Sequence, residues 1–221
     1  MNIELQKEYL QTTPTLEVDD VSTQQLIKEI DRSTSLKEQA IALYYLVRDR
    51  FLYDSYHLDL RPEALKSSTI LEKRRACCVE KSIVLATSLR ALGISSSLGY
   101  GIVINHIGVD RLTRCLKRKE IVFHGYVSGY LDGKWVKTTP AFDINVCRLS
   151  GVEPLDWDGE NDALFQAYQG DQKFMEYIHF YGDFDDVPVQ LMNDEMERYY
   201  PHLFEEVHAG RNFSFNHLKS D

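Results

Sequence analysis

The sequence predicts an α+β fold, on three observations. Two segments, one behind Ser35 and one starting at Cys78, carry apolar residues at helical spacing. A third, from Ile121 to Phe142, has the composition and turn chemistry of a β-hairpin. The expected arrangement is a set of N-terminal helices, one bearing Cys78, packed on a small antiparallel sheet. Extra helices follow at the C-terminal end.

The elements follow in order. Ser22 with Gln25, and Ser35 with Glu38, are capping-box pairs that start two helices. Leu26, Ile27 and Ile30 give the first its apolar face; Ala40, Leu43, Tyr44, Val47 and Phe51 give the second a longer one. Arg61-Pro62 ends this region, and Ser67, Ser68 and Thr69 read as a polar loop. The third helix begins near Cys78, buries Val79, Ile83, Ala86 and Leu89 on a broad stripe, and stops at Gly93. Residues Leu98 to Ile104 form a strand, and residues 108–120 a basic, irregular loop. Asp132-Gly133 is the preferred two-residue turn of a hairpin, and Pro140 confines the returning strand to an edge or ends it. Further on, Phe174, Ile178 and Tyr181 suggest one helix and Leu191 to Tyr199 another. Asp183, Asp185 and Asp186 read as a solvated turn or cap. A single domain over residues 1–221 is expected, with a core at about 36–143 and a C-terminal elaboration at about 150–221.

Composition narrows the function. The chain has 221 residues, 43% hydrophobic and 27% charged, with a net charge of −9. Nucleic-acid affinity rests on neutralised phosphates, so a chain this acidic is a poor nucleic-acid binder; an anionic membrane surface is disfavoured on the same ground. The polar N-terminus lacks the apolar core of a signal peptide, and no apolar run is long enough to span a bilayer. The four cysteines show no Cys-x-x-Cys spacing, so no metal site or cofactor is expected. Free thiols suit a reducing, cytoplasmic setting.

Cys78 stands where a helix N-terminus offers free N–H groups and partial positive charge, both favouring thiolate over thiol. Lys73, Arg74 and Arg75 add cationic charge upstream. Position alone does not separate a nucleophile from a small buried hydrophobe. Cys77, next to it, points about 100° away on a helix and cannot share its site.

A thiol nucleophile needs a base and a polar group that holds the base. Of seven histidines, His124 lies inside the hairpin. With Asp132-Gly133 as the turn, Leu131 pairs with Lys134, and regular pairing carried outward puts His124 opposite Ala141. Thr139 and Asp143 are then its diagonal neighbours, roughly 7–8 Å away between Cα atoms, within reach of a hydrogen bond. A histidine held by a backbone carbonyl on a half-buried strand would show the same sequence.

Cysteine at a helix start, histidine in a strand and a polar residue on the next strand together resemble the transglutaminase-like superfamily, with its papain-like arrangement. The helix Leu43-Tyr44-Tyr45-Leu46-Val47-Arg48-Asp49-Arg50-Phe51 resembles the one before that family's site. Cys78-Val79-Glu80-Lys81-Ser82 resembles its cysteine segment, and His124-Gly125-Tyr126-Val127 with Tyr130 to Val136 its histidine hairpin. The segments Lys137 to Asp143 and Leu155 to Gly159 resemble an uncharacterised bacterial branch. The resemblance implies Cys78 as nucleophile and His124 as base, with Cys77 as packing. The family usually carries Asp immediately before the Pro, where this chain has Thr139; Asp143, whose charge suits imidazolium, is the preferred third residue and Thr139 the other candidate.

The implied activity is acyl transfer from an amide or peptide bond, with hydrolysis favoured over transamidation because nothing resembles an amine tunnel or calcium switch. Peptides, proteins or small amides are the expected partners. The alternative is a catalytically weak or inactive member that binds peptides or protein partners. Acyl transfer from a carrier is a weaker third option.

Overall fold

The computed structural model describes residues 7–106, 110–165 and 174–204. Gly170, His208 and His217 lie outside them.

Two helices open the fold. α1 (Val21–Ile27) is capped by Asp20, whose carboxylate accepts the Ser22 N–H, so the cap sits two residues before the expected Ser22. α2 (Leu36–Arg50) starts with the Ser35–Glu38 capping box and buries Ala40, Leu43, Tyr44 and Val47. A two-residue strand, β1 (Leu52–Tyr53), follows. The expected polar loop at Ser67–Thr69 is instead a short helix, α3 (Ser67–Leu71), made worthwhile by burial of Ile70 and Ser67. β2 (Arg75–Ala76) then pairs parallel with β1, which sets Tyr53 beside Ala76.

α4 (Cys78–Ala91) is the central element, buried from Cys78 to Arg90. Its two buried cations find carbonyls: Lys81 Nζ donates to Arg48 O at 2.9 Å, and Arg90 donates to Ser96 O, Gln11 O and Asp185 O. Gly93, at φ +82°, closes the helix in a conformation that costs other residues energy.

The sheet is four-stranded and antiparallel, in the order β5-β4-β3-β6. β3 (Ser96–Asn105) leads into a helix, α5 (Asp110–Leu116), where an irregular loop was expected; burial of Leu112 and Leu116, one turn apart, stabilises it. β4 (Glu120–Leu131) and β5 (Lys134–Thr138) form the expected hairpin with the expected register, Leu131 opposite Lys134 and Val127 opposite Thr138. The ladder stops at Thr138, two residues before Pro140. α6 (Ile144–Ser150) follows. The helix expected around Phe174–Tyr181 is instead the edge strand β6 (Met175–Phe184), paired with β3. Short apolar runs fit either period, and this one is rich in aromatic residues that favour a strand once an edge is available. α7 (Val189–Tyr199) matches expectation.

α4 packs on one face of this sheet, and α1 and α2 pack against α4, around the main apolar cluster. The acidic turn after β6 is tied in rather than free: Asp186 accepts the Thr15 hydroxyl and the Val187 N–H.

Candidate active site

Cys78 is the first residue of α4, and Ala76 just upstream is held in register with Tyr53. Glu80 accepts the Cys77 N–H at 2.9 Å, fixing the helix start. Strand β4 then passes unusually close. A Cβ on Gly125 would come to 3.0 Å from Cys78 O and Ser82 Oγ, so any larger residue would push the strand and helix apart by a few tenths of an ångström.

The thiol is 7% exposed and His124 only 1%. Hydrogen bonding from the Cys77 thiol lowers the pKa of Cys78 most. Burial opposes this, while the His124 charge and the Gly125 and Val79 N–H groups add to it, and the result is about 5. Cys77 is displaced upward and keeps its proton. So Cys77 packs, as expected, and also donates. The upstream cations act elsewhere: Lys73 pairs with Glu80, and Arg75 lies 3.8 Å from Asp54. Tyr53 lies beside Cys78 on the same cavity; burial and then the two thiols push its pKa far up, so it stays a phenol.

His124 is aimed by a bulge. Gly101 pairs with His124 but Val103 pairs with Ile121, so Val122 and Phe123 both face Ile102. Phe123 takes φ +59°, a strained value for a large residue. The imidazole Nδ1 lies 2.8 Å from the Tyr177 hydroxyl, and its buried Nε2 has no hydrogen-bond partner among the described residues. Burial lowers the pKa of His124 below 6.5, partly offset by the Cys78 thiolate.

The expected third residues are engaged elsewhere. Asp143 caps α6, accepting the Asn145 and Val146 N–H groups, and also takes the Tyr53 N–H at 2.6 Å. Burial pushes its carboxyl up, but those donors and the Lys81 charge outweigh it and hold the pKa low. Thr139 donates to Gly125 O at 2.9 Å. The regular pairing that made both residues diagonal neighbours of His124 fails because β5 ends at Thr138, where the Thr139 N–H turns to Ala163 O. Among the described residues, the partner of His124 Nδ1 is Tyr177, from a segment expected to be helical. Two register shifts in the β3–β6 ladder bring it there. Gly101 makes room: a Cβ at that position would meet the Tyr177 ring and His179 O at 2.6 Å. The alternation of Gly99 and Gly101 with large residues was the one trace of this crossing in the sequence.

A helix opening on a cysteine, set against an antiparallel strand that carries a histidine, defines the papain-like class of thiol-site folds. The chain belongs to the transglutaminase-like superfamily, whose family model matches residues 24–140, more than half its length. That places it broadly among cysteine-type enzymes. No curated protein matches in sequence. One solved structure, from Cytophaga hutchinsonii and described as a provisional cysteine protease, aligns with a TM-score of 0.48 at 13% identity. The alignment covers 63% of this chain and 43% of that one. Among the described residues no helix is long and apolar enough to cross a membrane.

Proposed function

We propose that the protein is a thiol acyl-transfer enzyme acting on amide bonds, with Cys78 as nucleophile, His124 as acid and base, and hydrolysis as the main outcome. One arrangement carries this reading: Cys78 opens α4 with strand β4 pressed against it at Gly125, hydrogen bonding lowers its pKa against the burial, and the buried Nε2 of neighbouring His124 has no partner among the described residues. A burial that disfavours charge is overridden only by a built set of donors.

In this reading the Cys78 thiolate attacks the carbonyl carbon. The C–S bond forms and the oxyanion takes hydrogen bonds from backbone N–H at the start of α4 and from the Tyr53 hydroxyl. The C–N bond then breaks as His124, an imidazolium carrying on Nε2 the proton given up by the Cys78 thiol, hands that proton to the departing amine. Water, losing a proton to the same nitrogen, releases the acyl group. Tyr177, accepting the Nδ1–H, holds the ring in the tautomer that leaves Nε2 free to work. Asp143 acts one step removed, by fixing Tyr53.

Iodoacetamide labelling, mapped by mass spectrometry, tests this. Cys78 should be alkylated well below pH 7, and His124→Ala should abolish turnover of peptide amides. Reaction of Cys78 no faster than Cys115 or Cys147 would overturn the reading. It would then favour a peptide-binding member without turnover, a role that a neutral partner for His124 would also suit. Product masses with and without added alkylamine separate hydrolysis from transamidation.

A further inference from the structure

Next to the nucleophile is a cavity that the chemistry above does not use. Cys77 and Cys78 close one end. Leu112 and Leu116 of α5 form one wall, and Met196 of α7 and Tyr200 just after it form another. Val122 and Phe123, the bulge residues before His124, complete it. Apart from the Cys78 sulfur itself, none of its lining side chains carries a charge. The Tyr200 hydroxyl is consumed, accepting from Val122 N and donating to Glu120 O, so only its ring is offered. The cavity measures about 50 Å³, room for roughly four water-sized groups in a row.

Resting on the thiol-enzyme reading, we infer that this cavity holds the acyl part of the substrate, and that this part is a short aliphatic chain of about four to six carbons. A charged chain entering it would lose its water with no ion to replace it, and a carboxamide would find few partners. An aliphatic chain loses nothing and gains burial, worth roughly four-fold in binding per methylene. The chain could come from a leucine-type residue or from a short fatty acyl group; both present the same carbons to the cavity. The walls are built by α5, which interrupts the β3–β4 connection, and by the C-terminal elements, so the selectivity belongs to segments outside the Cys–His pairing itself.

The experiment uses p-nitrophenyl esters of acetate, hexanoate, glutarate (as the half-ester) and N-acetyl-leucine on the full chain. The Cys78 thiolate forms the C–S bond as the C–O bond breaks and p-nitrophenolate departs. Intact mass and peptide mapping read acylation at Cys78. Hexanoate is expected to acylate more than ten-fold faster than acetate, and glutarate no faster than acetate. Met196→Trp should bring the hexanoate-to-acetate ratio near one, and Leu116→Ala should move the optimum to longer chains. An N-acetyl-leucine ester as fast as hexanoate assigns a peptide source; a much slower one assigns a fatty acyl source. A flat series, or an order untouched by both variants, overturns the inference while rapid iodoacetamide labelling leaves the enzyme reading standing. Failure of that labelling removes both.

Discussion

At the residue scale, the site depends on neutral donors where charge was expected. The thiolate at Cys78 is held by a thiol and backbone N–H groups, with the Tyr53 phenol beside it, and His124 by a phenol. A tyrosine partner cannot stabilise imidazolium as a carboxylate would, which fits the lowered pKa of His124. The sign for activity follows. Thiolate accumulates as pH rises through about 5, whereas the proton for the leaving amine is lost as pH rises through the depressed pKa of His124. Amide turnover should therefore show a bell in the mildly acidic range. Acylation by an activated ester, whose leaving group needs no proton, should instead stay flat above its rise. Tyr177→Phe should cut amide turnover roughly ten-fold, the worth of one hydrogen bond of about 1.4 kcal/mol, and leave iodoacetamide labelling of Cys78 nearly unchanged. If the variant lost only melting temperature, with the pH profile intact, Tyr177 would be a packing residue.

At the element scale, one bulge in β4, two register shifts in the β3–β6 ladder and one helix cap place the site. The helix α4 and the β4–β5 hairpin were legible because their signals are local: capping pairs, a 3.6-residue period, Asp-Gly, and a glycine stop. Where β4 bulges at Phe123 and where β5 ends was not, since a bulge is set by what the strand packs against. That is why Thr139 and Asp143 left the position that regular pairing assigns. Asp143→Ala should cost about 2–3 kcal/mol in urea unfolding, from a lost cap and an unpaired Tyr53 N–H. It should also slow acylation through Tyr53, without shifting the pH dependence that a direct partner of His124 would control. Asp143→Asn, which can still cap, should recover most of the stability. If the alanine variant instead moved the amide bell, the carboxylate would be acting on His124 directly.

At the scale of the whole molecule, Lys81 ties the site to the core. Its burial holds the ammonium pKa down to about 8, with Asp143 and Asp49 opposing. The folded pKa lies below the unfolded value of 10.5, so between the two the unfolded chain binds more protons and stability rises with pH. Urea midpoints measured at pH 7.5 and 9.5 should therefore increase for the natural chain relative to Lys81→Met. Equal changes in both proteins would show that Lys81 is not desolvated as described.

The chain by itself determined α1, α2, α4, α7 and the hairpin, and singled out Cys78 and His124 as candidates, because each is written in neighbouring residues or in a family pattern. Tertiary structure alone decided that β6 is a strand, that Tyr177 crosses Gly101 to meet His124, and that α5 and α7 wall a cavity beside the thiol. The physical reason is common to all three. Each depends on which surfaces become available for pairing once the rest has folded, and no local spacing encodes that.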